Sequence, residues 1–300
     1  MKLFCITAAA VLVVAGMAAA QQQPPAAPPA GQQTSQPAQS TPPAQQPAAQ
    51  PGAAAPAAAQ AEPAKKQPQA KTQEEYKAYQ DAGAKTDLAE AESAADAFAT
   101  KYPQSELKVF LYRRLMYLYQ SSNNAQKTID MAKKVLEIDP NNPEALTTAA
   151  MVLSERTRET DLDKDERLAE ASQYAGKALQ TVDTDLFIPP NADPTQVQGV
   201  KDGLRSIAEL ALGTVEYIKK NYPAAQPHLE KATQLNPKDP VAWLRLAVVL
   251  DQQNKYPDAM AAANKAVEVA PPNSPEGDMA KSEQARLQKL TQSTPAAPKQ

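Results

Sequence analysis

The sequence predicts an all-α fold, a right-handed solenoid of about five helix pairs plus a C-terminal capping helix, preceded by a signal segment and a disordered linker. Apolar residues recur with the 3.6-residue period of a helix across residues 72–291. Prolines mark the helix ends and starts at a regular spacing, since Pro237 and Pro271 are 34 residues apart, as are Pro223 and Pro257. A helical hairpin of this length cannot bury both of its faces alone, so its recurrence indicates stacked neighbours.

Residues 1–20 have the composition of a secretory signal. Lys2 supplies a positive charge, an apolar run follows over residues 3–14, and small residues at 18–20 form a cleavage site. We expect export to the periplasm or the cell envelope with cleavage of this segment. The alternative is an uncleaved membrane anchor, because the apolar stretch is close to the about 20 residues that span a bilayer. Cys5 is the only cysteine, so the mature chain would have no disulfide.

Residues 21–71 form a linker rich in Pro, Ala and Gln, and no charged residue precedes Glu62 in it. Such a segment buries too little apolar surface to offset its ordering entropy, so disorder is expected. Its prolines favour an extended chain, in which about 50 residues at ~3.1 Å each reach on the order of 150 Å. The linker is interpreted either as a tether for the folded part or as a passive leader. Residues 292–300 are expected to be a disordered tail.

The solenoid is predicted to begin with two regular hairpins, whose second helices end near Pro103 and Pro140. The second of these hairpins is the most apolar of the chain. A third hairpin begins at Pro143, and a polar turn over residues 156–167 delays its second helix. Because loop closure depends only weakly on loop length, this longer turn costs little.

Two further hairpins and one more helix complete the predicted solenoid. A linker with the sequence TVDTDLFIPPNADPTQ precedes the fourth hairpin, whose first helix is expected to start near Val197. The fifth hairpin spans residues 240–271 and has the most regular pattern. The helix that follows Pro272 is expected to cap the solenoid, because a terminal repeat needs a polar outer face.

Composition and motifs disfavour catalysis, cofactors, metals and nucleic acid as functions. The formal net charge is −3, so no basic field favours nucleic acid. The chain has no glycine-rich phosphate loop and no zinc-protease motif. His228 is the only histidine, so a structural or surface role is expected for it. Asp161, Asp163 and Asp165 resemble the start of a calcium loop, but Glu166 stands where the loop needs glycine.

The last two hairpins share a set of residues at equivalent positions. In the fifth hairpin they are Trp243, Leu246, Leu250, Ala259, Ala266 and Pro271, and in the fourth they are Leu212, Gly213, Ala225, Leu229, Ala232 and Pro237. This pattern resembles the tetratricopeptide repeat family, whose signature W-x2-L-G-x2-Y, A-x3-F and P recurs every 34 residues. Ala247 departs from it by replacing the packing glycine, and Ala263 by replacing a large apolar residue.

The resemblance implies a scaffold that binds proteins on the concave face of its first helices. Transferred to this chain, that face is formed by Phe110, Arg113, Tyr117, Gln120, Thr147, Met151, Leu210, Thr214, Tyr217, Leu244, Val248 and Asp251. Its apolar and aromatic side chains suit an apolar peptide or helix. We therefore expect a non-catalytic protein–protein interaction scaffold of the bacterial envelope, with a protein or peptide partner. The alternative is a structural spacer or a self-associating solenoid without a peptide ligand.

Overall fold

A computed structural model describes residues 68–293 of the 300-residue chain. The signal segment, residues 21–67 of the linker and residues 294–300 of the tail lie outside the described residues. In the described range the helices are α1 (Gln73–Gly83), α2 (Leu88–Lys101), α3 (Lys108–Ser121), α4 (Ala125–Ile138), α5 (Pro143–Arg156), α6 (Lys164–Thr181), α7 (Pro194–Ile218), α8 (Tyr222–Leu235), α9 (Pro240–Gln252), α10 (Tyr256–Val269) and α11 (Pro275–Ser293).

The helices pack in consecutive pairs. Each of the first helices α1, α3, α5, α7 and α9 contacts the second helix that follows it in the chain, and α11 packs on both α9 and α10. Contacts between α5 and α7, and between α7 and α9, join the first helices of successive pairs. The five predicted helix pairs and the C-terminal capping helix are confirmed. None of the described helices combines the length and the apolar character that crossing a bilayer requires.

Capping side chains and prolines set the starts of the first helices. Asn142, Asp193 and Asp239 each accept hydrogen bonds from backbone N–H groups in the first turn of α5, α7 and α9. A proline follows directly in all three helices. At this first position a backbone N–H would have no acceptor within the helix, so the missing N–H of proline costs no hydrogen bond. Helix α7 therefore begins at Pro194, slightly before the predicted start near Val197.

Helix α6 also starts earlier than the sequence pattern indicates. It begins at Lys164, inside the polar segment that was assigned to a turn. Asp165 and Glu166 lie in its first turn, where carboxylates interact favourably with the positive end of the helix dipole. The first helical turn of α6 is mostly exposed and carries no apolar residues. Apolar spacing therefore could not indicate that the helix starts there.

Small residues on the second helices allow close approach of the first helices. Ala225 on α8 and Ala259 and Ala263 on α10 are fully buried. Helices α7 and α8 approach closely at Gly213 of α7, where an added Cβ would lie 2.6 Å from Cγ of the buried Leu229. Since real carbon atoms do not approach so closely, only glycine fits at this point of the α7–α8 contact.

The turns inside three helix pairs pass through left-handed backbone. The φ angles of Asn123, Lys220 and Asn254 are 57°, 61° and 59°. All three residues follow the end of a first helix, so the turn has the same construction in each pair. Asparagine adopts this conformation more readily than residues with longer side chains do, and glycine adopts it without strain. Of the three residues, Lys220 is therefore the one least suited to a positive φ angle.

Replacing Lys220 by glycine is expected to raise the thermal midpoint by about 3 °C, because it removes the strain at a positive φ. The exposed ion pair between Lys220 and Glu159, with an N···O distance of 2.5 Å, contributes little against this gain. Lys219→Gly is the matched control, since Lys219 has a φ of −71° and no strain to lose. Differential scanning calorimetry of both variants checks the prediction. Equal thermal midpoints for Lys220→Gly and Lys219→Gly would contradict it.

Candidate protein-binding surface

The twelve predicted site residues all lie on the first helices α3, α5, α7 and α9. Seven of them have half-buried side chains, and together they are called the first-helix face: Phe110, Arg113, Tyr117, Gln120, Met151, Tyr217 and Val248. The other five are buried within the solenoid: Thr147, Leu210, Thr214, Leu244 and Asp251. The side chains of the first group are partly exposed, whereas those of the second group are enclosed by the chain itself.

The buried residues of α9 attach the capping helix to the last pair. Leu244 packs in a small apolar cluster with Ala266 of α10 and Ala280 of α11. The carboxylate of Asp251, which is 7% exposed, forms an ion pair with Arg286 of α11 at 2.6 Å. Both side chains therefore hold helices together at the C-terminal end of the solenoid.

A buried carboxylate fixes two residues of the first-helix face. Glu144, in the first turn of α5, accepts hydrogen bonds from Arg113 at 2.8 Å and from the Tyr117 hydroxyl at 2.9 Å. Burial lowers the pKa of Arg113, but Glu144 outweighs that effect and the net pKa is raised. Burial, together with Glu144, raises the pKa of Tyr117 well above its ordinary value. Arg113 is therefore a positioned cation and Tyr117 a positioned neutral phenol.

An aromatic side chain from elsewhere in the chain covers the α3 end of the face. Phe187 belongs to the α6–α7 segment, residues 182–193, which connects those two helices. Its ring meets the ring of Phe110 edge to face, with the centroids 5.3 Å apart. The Arg113 guanidinium lies over both rings, 5.3 Å from the centroid of Phe110 and 5.8 Å from that of Phe187. Arg113 thus contacts an aromatic group that the chain itself supplies.

The middle of the face borders an open cavity of about 40 Å³ between α3, α4 and α5. Gln120 and Met151 line this cavity together with Glu155. Burial raises the pKa of the Glu155 carboxyl above its ordinary value, although Arg245 and Arg156 oppose the shift. A partly desolvated carboxyl group is therefore available beside the apolar side chain of Met151.

Tyr217 and Arg245 continue the face onto α7 and α9. The Arg245 guanidinium lies 5.9 Å from the centroid of the Tyr217 ring, within the range of a cation–π interaction. The Tyr217 ring also packs on Tyr222 at the start of α8, with the centroids 6.1 Å apart. Aromatic rings and guanidinium groups are therefore paired at both ends of the first-helix face.

Four residues that shape this surface were not predicted: Glu144, Glu155, Phe187 and Arg245. Glu144, Met151 and Glu155 follow one another at spacings of seven and four residues, which places all three on one side of α5. Arg245 precedes Val248 by three residues on α9 in the same manner. Helical spacing could therefore have identified three of them. No local pattern indicates where the ring of Phe187 lies.

The histidine takes part in packing between α7 and α8. Nδ1 of His228 lies 2.6 Å from Oε2 of Glu209, and Lys231 donates to Oε1 of the same carboxylate at 2.8 Å. The Glu209 side chain is 3% exposed, so these two residues are its partners within the solenoid. Burial raises the pKa of Glu209, but the hydrogen bonds from His228 and Lys231 outweigh burial and place it below the ordinary value of 4.5.

Glu209→Gln is expected to make the free energy of unfolding depend less on pH in the acidic range. A lowered pKa in the folded state stabilises the protein above the unfolded-state pKa, and this contribution is lost as the pH falls through the folded-state value. The variant should be less stable than the wild type by about 1–2 kcal/mol at pH 7. That difference should shrink as the pH falls from 5 to 3. Urea unfolding at several pH values measures it, and a constant difference would contradict the assignment.

The acidic residues of the α5–α6 turn interact with the chain's own basic groups. The Asp161 carboxylate accepts a hydrogen bond from the backbone N–H of Arg158 at 2.8 Å. Arg167 lies 4.0 Å from the carboxylate of Asp161 and 3.9 Å from that of Asp163. Among residues 68–293, no group of three or more His, Cys, Asp or Glu residues is arranged to hold a metal ion.

The consecutive helix pairs and the accessible face along their first helices define the chain as a helical-repeat protein. Residues 217–283 match the family model of the tetratricopeptide repeat, over a region that extends from the end of α7 into α11. Residues 217–283 of the chain are therefore similar to tetratricopeptide-repeat proteins. Comparison with curated protein sequences gives no significant match.

Several solved structures are similar to this chain. PilW, a widely conserved type IV pilus biogenesis factor, has 20% sequence identity, covers 75% of this chain and 96% of that chain, and has a TM-score of 0.44. YrrB, a TPR protein with an unusual peptide-binding site, has 18% identity, covers 67% of this chain and 87% of that chain, and has a TM-score of 0.41. A thermophilic TPR protein of Thermus thermophilus has 14% identity, covers 73% of this chain and 99% of that chain, and has a TM-score of 0.41.

Proposed function

We propose that the protein is an exported, non-catalytic scaffold of the bacterial envelope that binds an apolar peptide or helix of a partner protein on its first-helix face. The observation that carries this proposal is the row of half-buried apolar side chains on four successive first helices. Its members are Phe110, Tyr117, Met151, Tyr217 and Val248.

The chemistry of the face suits a partner that is apolar with some polar groups. Aromatic side chains contribute large contact areas and lose little conformational freedom on binding. An amphipathic helix or an extended peptide presents apolar side chains at regular intervals, which a surface built from parallel rows of helix residues can match. Arg113 and Arg245 supply fixed cations at the two ends, so a partner with carboxylates or aromatic rings at these points would gain further contacts.

Export is part of the proposal because of the N-terminal sequence. A positive charge, an apolar run and small residues characterise residues 1–20, as in secretory signals. In this account the Pro/Ala/Gln-rich linker separates the scaffold from the point of attachment or from the cell wall. Residues 68–71 at its end lie against the solenoid, where Lys71 donates to the carbonyl oxygen of Gln104 at 3.2 Å.

A matched pair of substitutions on α9 and α10 tests the proposal. Val248→Asp places a carboxylate on the first-helix face, and Ala261→Asp places one on the exposed side of the second helix of the same pair. After formaldehyde crosslinking in the cells that produce the protein, we expect Val248→Asp to lose at least about nine-tenths of the captured partner, since burying an unpaired carboxylate is strongly unfavourable. Ala261→Asp should capture as much as the wild type.

Two outcomes would contradict the proposal. Equal capture by both variants would show that the partner does not contact the first-helix face. If no partner is captured and sedimentation velocity shows the purified protein forming dimers, the self-associating solenoid is the correct interpretation. Circular dichroism of both variants must show unchanged helix content, so that a loss of capture reports on the surface.

A further inference from the structure

The α6–α7 segment covers one end of the surface to which the proposed function assigns the partner. The inference that follows rests on that proposed function and concerns what the α3 end of the face binds. Phe187 lies against Phe110 and beneath the guanidinium of Arg113, as described above. Beside it only a small cavity of about 20 Å³ remains, lined in part by Pro68, Asp139 and the same aromatic side chains. The ring of Phe187 therefore fills most of the space at this end.

Ring contacts, rather than backbone hydrogen bonds, hold Phe187 in this position. No backbone–backbone hydrogen bond joins residues 186–188 to any other residue that the structure describes. The neighbouring Leu186 is 6% exposed and anchors the base of the segment, and Pro189 and Pro190 follow directly. Withdrawal of Phe187 would thus break side-chain contacts without breaking a hydrogen-bonded ladder.

The surface beneath Phe187 is organised independently of the α6–α7 segment. Arg113 is oriented by the carboxylate of Glu144, and that carboxylate is also held by Tyr117. None of these three residues depends on Phe187 for a hydrogen bond. A preorganised guanidinium above an aromatic ring selects a second ring, because a flat π-face gains from the cation whereas an aliphatic side chain does not.

We propose that Phe187 is an internal ligand of the first-helix face and that the partner is a peptide segment whose aromatic side chain takes its place. The partner is thus defined by an exposed Phe, Tyr or Trp rather than by apolar character alone. The α6–α7 segment acts as a tethered competitor, with an effective concentration of about a millimolar or more set by its short connection. Partners that bind weakly are thereby excluded from the face.

A peptide made from the chain's own segment tests this proposal. The probe is an acetylated, amidated peptide of residues 181–194 with 4-fluorophenylalanine at position 187, observed by ¹⁹F NMR. We expect Phe187→Ala protein to bind it at least about tenfold more tightly than the wild type, because the tethered competitor has been removed. Ile188→Ala is the matched control from the same segment; it leaves the ring in place and should bind as weakly as the wild type.

Two further controls locate the binding. A peptide with alanine at position 187 should not bind, and the double variant Phe187→Ala/Phe110→Ala should lose binding of the fluorinated peptide. Equal binding by wild-type and Phe187→Ala protein, absence of binding to Phe187→Ala protein at millimolar peptide, or binding that survives the change at Phe110 would each overturn the proposal. Circular dichroism confirms that each variant is folded.

The outcome is separable from that of the proposed function. If the peptide experiment fails while Val248→Asp still abolishes partner capture, the first-helix face binds its partner but Phe187 is a permanent part of the fold. If the peptide experiment succeeds and capture does not depend on Val248, the α3 end binds aromatic side chains, but the proposed extent of the partner-binding surface is wrong.

Discussion

Replacing Glu144 by alanine is expected to destabilise the protein by about 3 kcal/mol, because it leaves the guanidinium of Arg113 largely buried without a counter-charge. The side chains of Glu144 and Arg113 are 7% and 19% exposed, so water replaces the lost interaction only in part. The Tyr117 hydroxyl loses its acceptor as well. Urea unfolding measures the loss through the transition midpoint, with the slope of the transition unchanged.

Two comparison variants show whether burial is the cause. Glu90 lies in the first turn of α2, is 66% exposed and is 3.7 Å from Lys85, so Glu90→Ala should cost no more than about 1 kcal/mol. The double variant Arg113→Met/Glu144→Leu removes both charges and should be clearly more stable than Glu144→Ala, since no buried charge remains unpaired. If Glu144→Ala costs no more than Glu90→Ala, the assignment of a buried ion pair at this position is wrong.

Gly213→Ala is expected to destabilise the protein by up to about 2 kcal/mol, because over-packing outweighs the gain in helix propensity. The new methyl group would lie 2.6 Å from Cγ and 2.7 Å from Cδ2 of Leu229, and 3.3 Å from the carbonyl oxygen of Ala225. Leu229 is fully buried and cannot move away freely. Over-packing costs about 1–3 kcal/mol, and at this degree of overlap it exceeds the gain of about 1 kcal/mol from alanine's higher helix propensity.

Another helical glycine provides the control for this prediction. An added Cβ at Gly176 of α6 meets nothing within 4 Å, so Gly176→Ala should leave stability unchanged or raise it by about 1 kcal/mol. Thermal unfolding of the two variants therefore separates helix propensity from packing. A stabilising effect of Gly213→Ala would mean that α7 and α8 do not approach as closely as described.

The helix pairs could be predicted from sequence because they depend on local signals. Apolar spacing fixes the buried side of each helix, and prolines such as Pro223 and Pro257 fix the starts of second helices. Gly213 was identified from the repeat pattern and does lie at a close contact between helices. Trp243, another residue of the repeat pattern, is half-buried, and its indole N–H donates to the carbonyl oxygen of Pro237 at 3.0 Å.

The details of the surface could not be predicted because they depend on contacts between residues far apart in the chain. Phe110 and Phe187 are 77 residues apart, and only the path of the α6–α7 segment brings them together. Repeat patterns also do not distinguish accessible from buried positions on a first helix. Leu244 and Val248 share one side of α9, yet α11 helps to bury Leu244 while Val248 stays half-buried.

Photo-crosslinking from the first-helix face tests the central claim most directly. The photoreactive amino acid p-benzoylphenylalanine would replace Gln120 at the end of α3 or, as the control, the exposed Glu137 on α4. After irradiation of the cells that produce the protein, we predict a defined adduct with one partner from position 120 and none from position 137. Adducts from position 137 alone, or the same adduct from both positions, would contradict the claim that the first-helix face binds the partner.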